Sequence, residues 1–130
     1  MNVDEAHAFA KQWADGWNAH DLEAVLSHFT DDATFASPVA AQMLPETEGV
    51  LRGKAAIRAY WQVGLERIPD LHFTVENVYS GLGTIVINYR NLVGALVCEV
   101  LHINAGGLAH TGMGTYLAAD AAGASGARSA

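Results

Sequence analysis

The 130-residue chain carries one cysteine, three prolines and seven Lys and Arg against fourteen Asp and Glu. A lone Cys98 cannot close an internal disulfide, so no disulfide framework holds the fold. The few cations are scattered and the formal charge is −7, which argues against binding a phosphate backbone, and nucleic acid is not an expected partner. No apolar stretch reaches the roughly 18 residues of a membrane span, so no membrane association is expected. The N-terminus lacks a basic start followed by an apolar run, so a signal peptide is not expected and the cytoplasm is the simplest location. Glycine pairs occur without a strand-glycine-helix arrangement, which leaves no phosphate cradle, and no nucleotide or other cofactor is expected. His7, His20, His28, His72 and His102 show no H-x-x-x-H spacing, so no metal site is assigned.

What the sequence has in quantity is apolar residues, 51% of the chain, with a mean hydropathy of +0.14. That is high for a small soluble monomer, and it implies surface covered by a second subunit or wrapped around a pocket. A homodimer is therefore expected, with a small hydrophobic molecule as partner. The length suits one domain over residues 1–118, followed by an Ala/Gly/Ser-rich tail over 119–130 that the composition predicts to be disordered.

From Asp4 to about Ala19, Ala6, Phe9, Ala10, Trp13 and Trp17 recur at three- and four-residue steps, which predicts a helix with one buried face. Asp21 is a suitable N-cap for a short second helix carrying Leu22, Val25 and Leu26. Asp31 and Asp32 follow in the stretch HFTDDATFASP. They are read as turn residues bonding to local backbone rather than as a catalytic pair, ahead of a brief strand at Ala33–Ala36. Residues 38–53 hold Pro38, Pro45, Gly49 and Gly53 without a period and are read as a long loop, a candidate lid. Helical spacing resumes from Lys54 to about Arg67 and ends before Pro69. Four strand-like stretches follow at 71–79, 84–91, 95–104 and 108–117, and their short connections favour an antiparallel meander. Helices first and strands afterwards predict an α+β domain, with three N-terminal helices packed on a curved, mainly antiparallel sheet.

Three segments carry a resemblance: Trp17-Asn18-Ala19-His20-Asp21-Leu22, His28-Phe29-Thr30-Asp31-Asp32-Ala33-Thr34-Phe35 and Gly53-Lys54-Ala55-Ala56-Ile57. Together they resemble the nuclear transport factor 2-like superfamily, in particular its SnoaL-like and ketosteroid isomerase-like branches, over about residues 5–117. The resemblance implies a cone-shaped α+β barrel, a scaffold that hosts isomerases, cyclases, dehydratases and proteins that only bind. In the ketosteroid isomerases an Asp after the first strand is the base, while a Tyr on helix 1 and an Asp on a late strand hold the oxyanion. Ungapped matching places Ser37, Trp13 and Glu99 at those positions. Serine is no useful base near neutral pH and tryptophan is not an acid, so an acid survives only at the third position, Glu99, and the steroid isomerase mechanism is not expected.

Strand alternation allows a separate test of the last hairpin. With Ala105-Gly106 at the turn, Leu101 lies opposite His110 and Glu99 opposite Gly112, so Glu99, His110 and Tyr116 share one face. Glu99 sits in the apolar run Leu96–Leu101, where an ionised carboxylate needs a partner or a proton. His110 could supply a carboxylate-imidazole pair able to move a proton, whereas Arg90 on the adjoining strand could form a purely structural ion pair. The candidate catalytic residues are thus Glu99 and His110. Trp13, Trp17, Ser37, Tyr60, Asn88 and Tyr116 are candidate ligand contacts, although aromatics at helical spacing more often fill a core. Two functions follow: a cofactor-independent isomerase, cyclase or dehydratase acting on a small apolar carbonyl compound, or a non-catalytic protein binding a hydrophobic ligand.

Overall fold

A computed structural model describes residues 1–118. The expected tail over 119–130 lies outside the described residues. Helix α1 spans Val3–Asn18 and opens with a capping box in which Asn2 and Glu5 satisfy each other's backbone N–H groups at 2.8 and 2.9 Å. Its buried face is the one the spacing predicts, with Phe9, Trp13 and Trp17 inward. Helix α2 (Leu22–Leu26) is capped by Asp21, whose side chain accepts from the Ala24 N–H. It packs so closely on α1 that a Cβ at Gly16 would lie 2.9 Å from a Val25 methyl.

Strand β1 runs from Phe29 to Ala36, four residues earlier than expected. Asp31 and Asp32 therefore stand within the strand, both exposed, and do not turn the chain. Lys54 pairs with Asp31 at 3.4 Å and the Thr30 hydroxyl donates to Asp32 at 2.9 Å. The turn instead uses Ser27 and His28. Residues 38–53 are also more ordered than their lack of period suggests. They form helix α3 (Pro38–Met43), a 3₁₀ turn (Pro45–Thr47) and strand β2 (Val50–Arg52). Each of these pieces is too short to show a repeat.

Helix α4 (Lys54–Arg67) brings Ile57, Tyr60 and Trp61 onto the core. Strands β3 (Thr74–Gly81), β4 (Thr84–Arg90), β5 (Leu96–Ile103) and β6 (Ala109–Tyr116) form the expected antiparallel meander. Strand β1 then joins β6 in parallel, giving one sheet in the order β2-β1-β6-β5-β4-β3. The result is the α+β architecture expected, with N-terminal helices on a curved, mainly antiparallel sheet.

The Trp17–Leu22 segment acts as a clamp. The Asn18 side chain accepts from the Phe73 N–H at 2.8 Å and donates to the Phe73 carbonyl at 3.0 Å. His20, at φ 56°, reaches the Leu71 carbonyl at 2.9 Å. These contacts fasten the end of α1 to the segment entering β3, and so hold the helices over the sheet.

Candidate functional site

The inner face of the sheet is set by alternation along β4 and β5. Ile85, Ile87 and Tyr89 point inward from β4, and Val97, Glu99, Leu101 and Ile103 from β5. Against them pack the aromatics of the helices and of β1. Trp13 lies 5.5 Å from Phe73 and 5.1 Å from Tyr89 between ring centroids, and Trp17 lies 5.0 Å from Trp61. Phe29 and Phe35 meet Trp61 edge-on, each at 5.5 Å. Trp13 and Trp17 thus serve as core side chains, yet the indole N–H groups of Trp13, Trp17 and Trp61 find no hydrogen-bond partner among the described residues.

Glu99 is 0% exposed, and both its carboxylate oxygens lack a hydrogen-bond partner among the described residues. Its cross-strand neighbours are Ile87 and Gly114. Burial pushes its carboxyl well above the usual carboxylate range, because an apolar interior penalises the charged form. In the neutral form it is a hydrogen-bond donor as well as an acceptor.

Neither expected partner reaches it. Arg90 ends β4 on the opposite face, where it donates to Glu76 at 2.7 Å and to the Gly94 carbonyl at 2.8 Å. His110 is exposed on that outer face too. The hairpin register explains this correction: Leu101 pairs with Gly112, Glu99 with Gly114, His102 with Thr111, and Ile103 with Ala109. The pairing is offset by one residue at the turn and by a second at His110, a bulge, so the net offset of two keeps Glu99 and Tyr116 on one face while His110 points to the other. Asn88 is likewise outward, bonding to the Val97 carbonyl at 3.2 Å and to Asn77 at 3.1 Å. It is not positioned as an interior contact.

The hydroxyl that senses Glu99 is that of Tyr60. Tyr60 on α4 is buried and hydrogen-bonded to Ser37, with Tyr116 and Glu99 close enough for their charges to act on it. Burial raises its phenol pKa, the Ser37 bond opposes that rise, and the two neighbours add to it. Ser37, itself buried, also caps α3 by accepting from the Val39 N–H at 3.1 Å. Tyr116 is half-buried against the core at the end of β6. Thus Tyr60, from α4, joins Ser37 at the β1–α3 junction and faces the inner side of the sheet, which Glu99 of β5 and Tyr116 of β6 share. Clefts formed by the described residues beside α1, at the β5–β6 turn and at the end of β6 are not lined by Glu99.

The described residues contain no group of three or more His, Cys, Asp and Glu placed to hold a metal ion. No described helix is long and apolar enough to cross a membrane.

A SnoaL-like domain model matches residues 10–115. The chain belongs to the SnoaL-like family. A SnoaL-like protein of unknown function from Burkholderia thailandensis is 38% identical, with 90% of this chain and 98% of that one covered at a TM-score of 0.86. A protein of the SnoaL-like family from Agrobacterium tumefaciens, described as a candidate isomerase, shares 14% identity over 88% of this chain and 99% of its own, TM-score 0.70. TerC, crystallised with polyporic acid, shares 12% identity over 94% and 98%, TM-score 0.74. The last two likenesses are of fold alone. No match is found among curated proteins. Within this SnoaL-like protein, the residue pairing that sequence reasoning missed is Tyr60 with Ser37. The signal available was Ser37 before Pro38, which marks a helix N-cap as readily as a turn.

Proposed function

We propose that this SnoaL-like protein admits a small apolar carbonyl compound to Glu99 by displacing packed interior side chains, since none of the clefts above is lined by Glu99, and acts on it, without a cofactor, by proton transfer through Glu99. The observation that carries the reading is a fully buried carboxyl with no partner among the described residues. An unmatched buried acid is costly, and a ligand oxygen seated against it would recover the missing hydrogen bond. The neutral carboxyl donates to a carbonyl oxygen and releases its proton as charge develops there. The carboxylate so formed then accepts the proton leaving the adjacent carbon, giving the enol with no net change in protons. The reverse exchange at another carbon of the conjugated system, in which the carboxyl protonates that carbon and the enol O–H returns its proton to the carboxylate, yields an isomer. Tyr60, fixed by Ser37, offers a second donor, and Trp13, Trp17 and Tyr116 supply the apolar wall. His110 and Asn88 play no part.

The second reading, a non-catalytic binding protein, draws support from the dense packing of Trp13, Trp17 and Trp61. Conjugated and 1,3-dicarbonyl compounds, followed by ultraviolet absorbance for tautomer exchange, test between them. Turnover by the native chain that disappears in Glu99→Gln with folding intact supports chemistry. Equal turnover in both chains ends the Glu99 assignment, and native mass spectrometry showing a retained ligand without turnover favours binding only.

A homodimer formed through the outer sheet face belongs to the same proposal. Val86, Val100 and Met113 form a half-buried apolar row there, of the kind a second subunit covers. A cytoplasmic location is also inferred, from the single unpaired cysteine.

A further inference from the structure

The bulge that removes His110 from the interior sets it beside a second imidazole. His102 projects from β5 onto the outer face, and its ring centroid lies 6.2 Å from that of His110 with the planes 29° apart. Each ring is held through Nδ1. The Thr84 hydroxyl lies 3.4 Å from Nδ1 of His102, and the Thr111 hydroxyl 3.1 Å from Nδ1 of His110. Neither Nε2 has a hydrogen bond among the described residues. The tautomer that donates from Nδ1 to a hydroxyl keeps the Nε2 lone pair for a metal, as is usual for ligating histidines.

We propose that His102 and His110 form a bidentate site for a borderline divalent transition-metal ion, with Zn²⁺ and Cu²⁺ as its probes. Imidazole suits these ions, whereas Mg²⁺ and Ca²⁺ prefer carboxylate and carbonyl oxygens. Two rings sharing one ion, at metal–nitrogen distances of about 2.0–2.1 Å, stand somewhat closer than 6.2 Å. His110 is exposed and swings in without disturbing the core, while His102 is the half-buried, fixed partner. No third His, Cys, Asp or Glu joins them among the described residues. Water completes the coordination, and the ion exchanges rather than staying as a structural fixture. The site faces away from Glu99, on the other side of the sheet and next along the strands to the Val100–Met113 row proposed to meet a second subunit, so it stands or falls apart from the proposed proton transfer and is tested in the chain as it assembles.

The test is calorimetric titration of the untagged full chain with Zn²⁺ and with Cu²⁺, alongside His102→Ala, His110→Ala and, as a control, His72→Ala. The expected result is one ion per chain, tighter for Cu²⁺ than for Zn²⁺, with affinity falling roughly tenfold or more in either site variant and unchanged in the control. Nuclear magnetic resonance adds a position-specific readout: sub-stoichiometric Cu²⁺ should broaden the ring signals of His102 and His110 before those of the other histidines. His110→Ala keeps the test valid should His102→Ala misfold. Failure of the native chain to bind either ion, or affinity equal in the native chain and His110→Ala, overturns the proposal.

Discussion

The buried acid makes a prediction about stability that needs no substrate. Glu99 ionises near pH 4.5 in the unfolded chain, and burial raises its folded pKa well above that. Above pH 4.5 the unfolded chain has lost the proton and the folded chain still holds it, so unfolding releases a proton. Stability from this group is therefore complete at low pH and declines as pH rises, until the folded carboxyl itself ionises. One proton corresponds to about 1.4 kcal/mol per pH unit. Glu99→Gln removes the titration and keeps the shape. The difference in unfolding free energy, Gln variant minus native, should hold level below pH 4.5. Above it the difference should climb in favour of the variant by about 1.4 kcal/mol per unit for as long as the native carboxyl stays protonated. Urea denaturation of both chains at half-unit pH intervals and one fixed protein concentration measures it, the fixed concentration being needed because self-association adds to apparent stability. The slope is informative because any constant cost of the new amide, and the titration of all other groups, cancels in it. A difference that does not change between pH 5 and pH 8 would mean that Glu99 is ionised and matched in the folded chain, and the reading of the interior would be wrong.

Other residues give independent checks. Ser37→Ala deletes both the α3 cap and the bond to Tyr60, and should cost about 1–2 kcal/mol, whereas Tyr60→Phe should cost about 1 kcal/mol and leave the α3 cap in place; urea midpoints distinguish the two. Asn18→Ala strips both backbone groups of Phe73 of their partner and should cost about 2 kcal/mol in the same assay; a cost near zero would show that the clamp is dispensable. Gly112→Ala sets a Cβ 3.0 Å from a Leu101 methyl and 3.1 Å from the Phe35 ring, an overpacking of about 1–3 kcal/mol that should appear as a lowered thermal midpoint. Light scattering at micromolar concentration should return twice the 13.8 kDa chain mass, and Val100→Glu should return the monomer; a native monomer contradicts the dimer.

The parts of this fold legible in the sequence are those whose repeat outlasts local noise. Helix α1 presents Phe9, Trp13 and Trp17 across sixteen residues, and each meander strand shows several alternations, so pattern alone specifies them. Strand β1 escaped because its solvent-facing Asp31 and Asp32 have poor strand propensity and good turn propensity. Pairing with β2 on one side and with β6 on the other outweighs that preference. The α3 and β2 pieces escaped because six and three residues hold less than two periods. Parallel pairing of β1 with β6 joins opposite ends of the chain, and no local pattern encodes it.

The site shows the same boundary more sharply. Glu99 was legible because it interrupts an apolar run, and alternation within β5 alone decides which way it points. His110 was not, since its direction depends on register with a neighbouring strand across a turn, and a single inserted residue reverses the answer. That reversal alters the chemistry available. With imidazole and guanidinium both on the far side of the sheet, the acid left inside is Glu99, with the Tyr60 phenol near enough to sense it. Such a set stabilises a developing oxyanion by donation and draws a proton from carbon only after Glu99 has first given its own away. Tautomer exchange through one carboxyl should therefore lose rate as pH rises through the folded Glu99 pKa and show no second, imidazole-dependent limb. A rate that instead increases on deprotonation would assign Glu99 the role of a base from the outset, and the order of the two proton steps would have to be inverted.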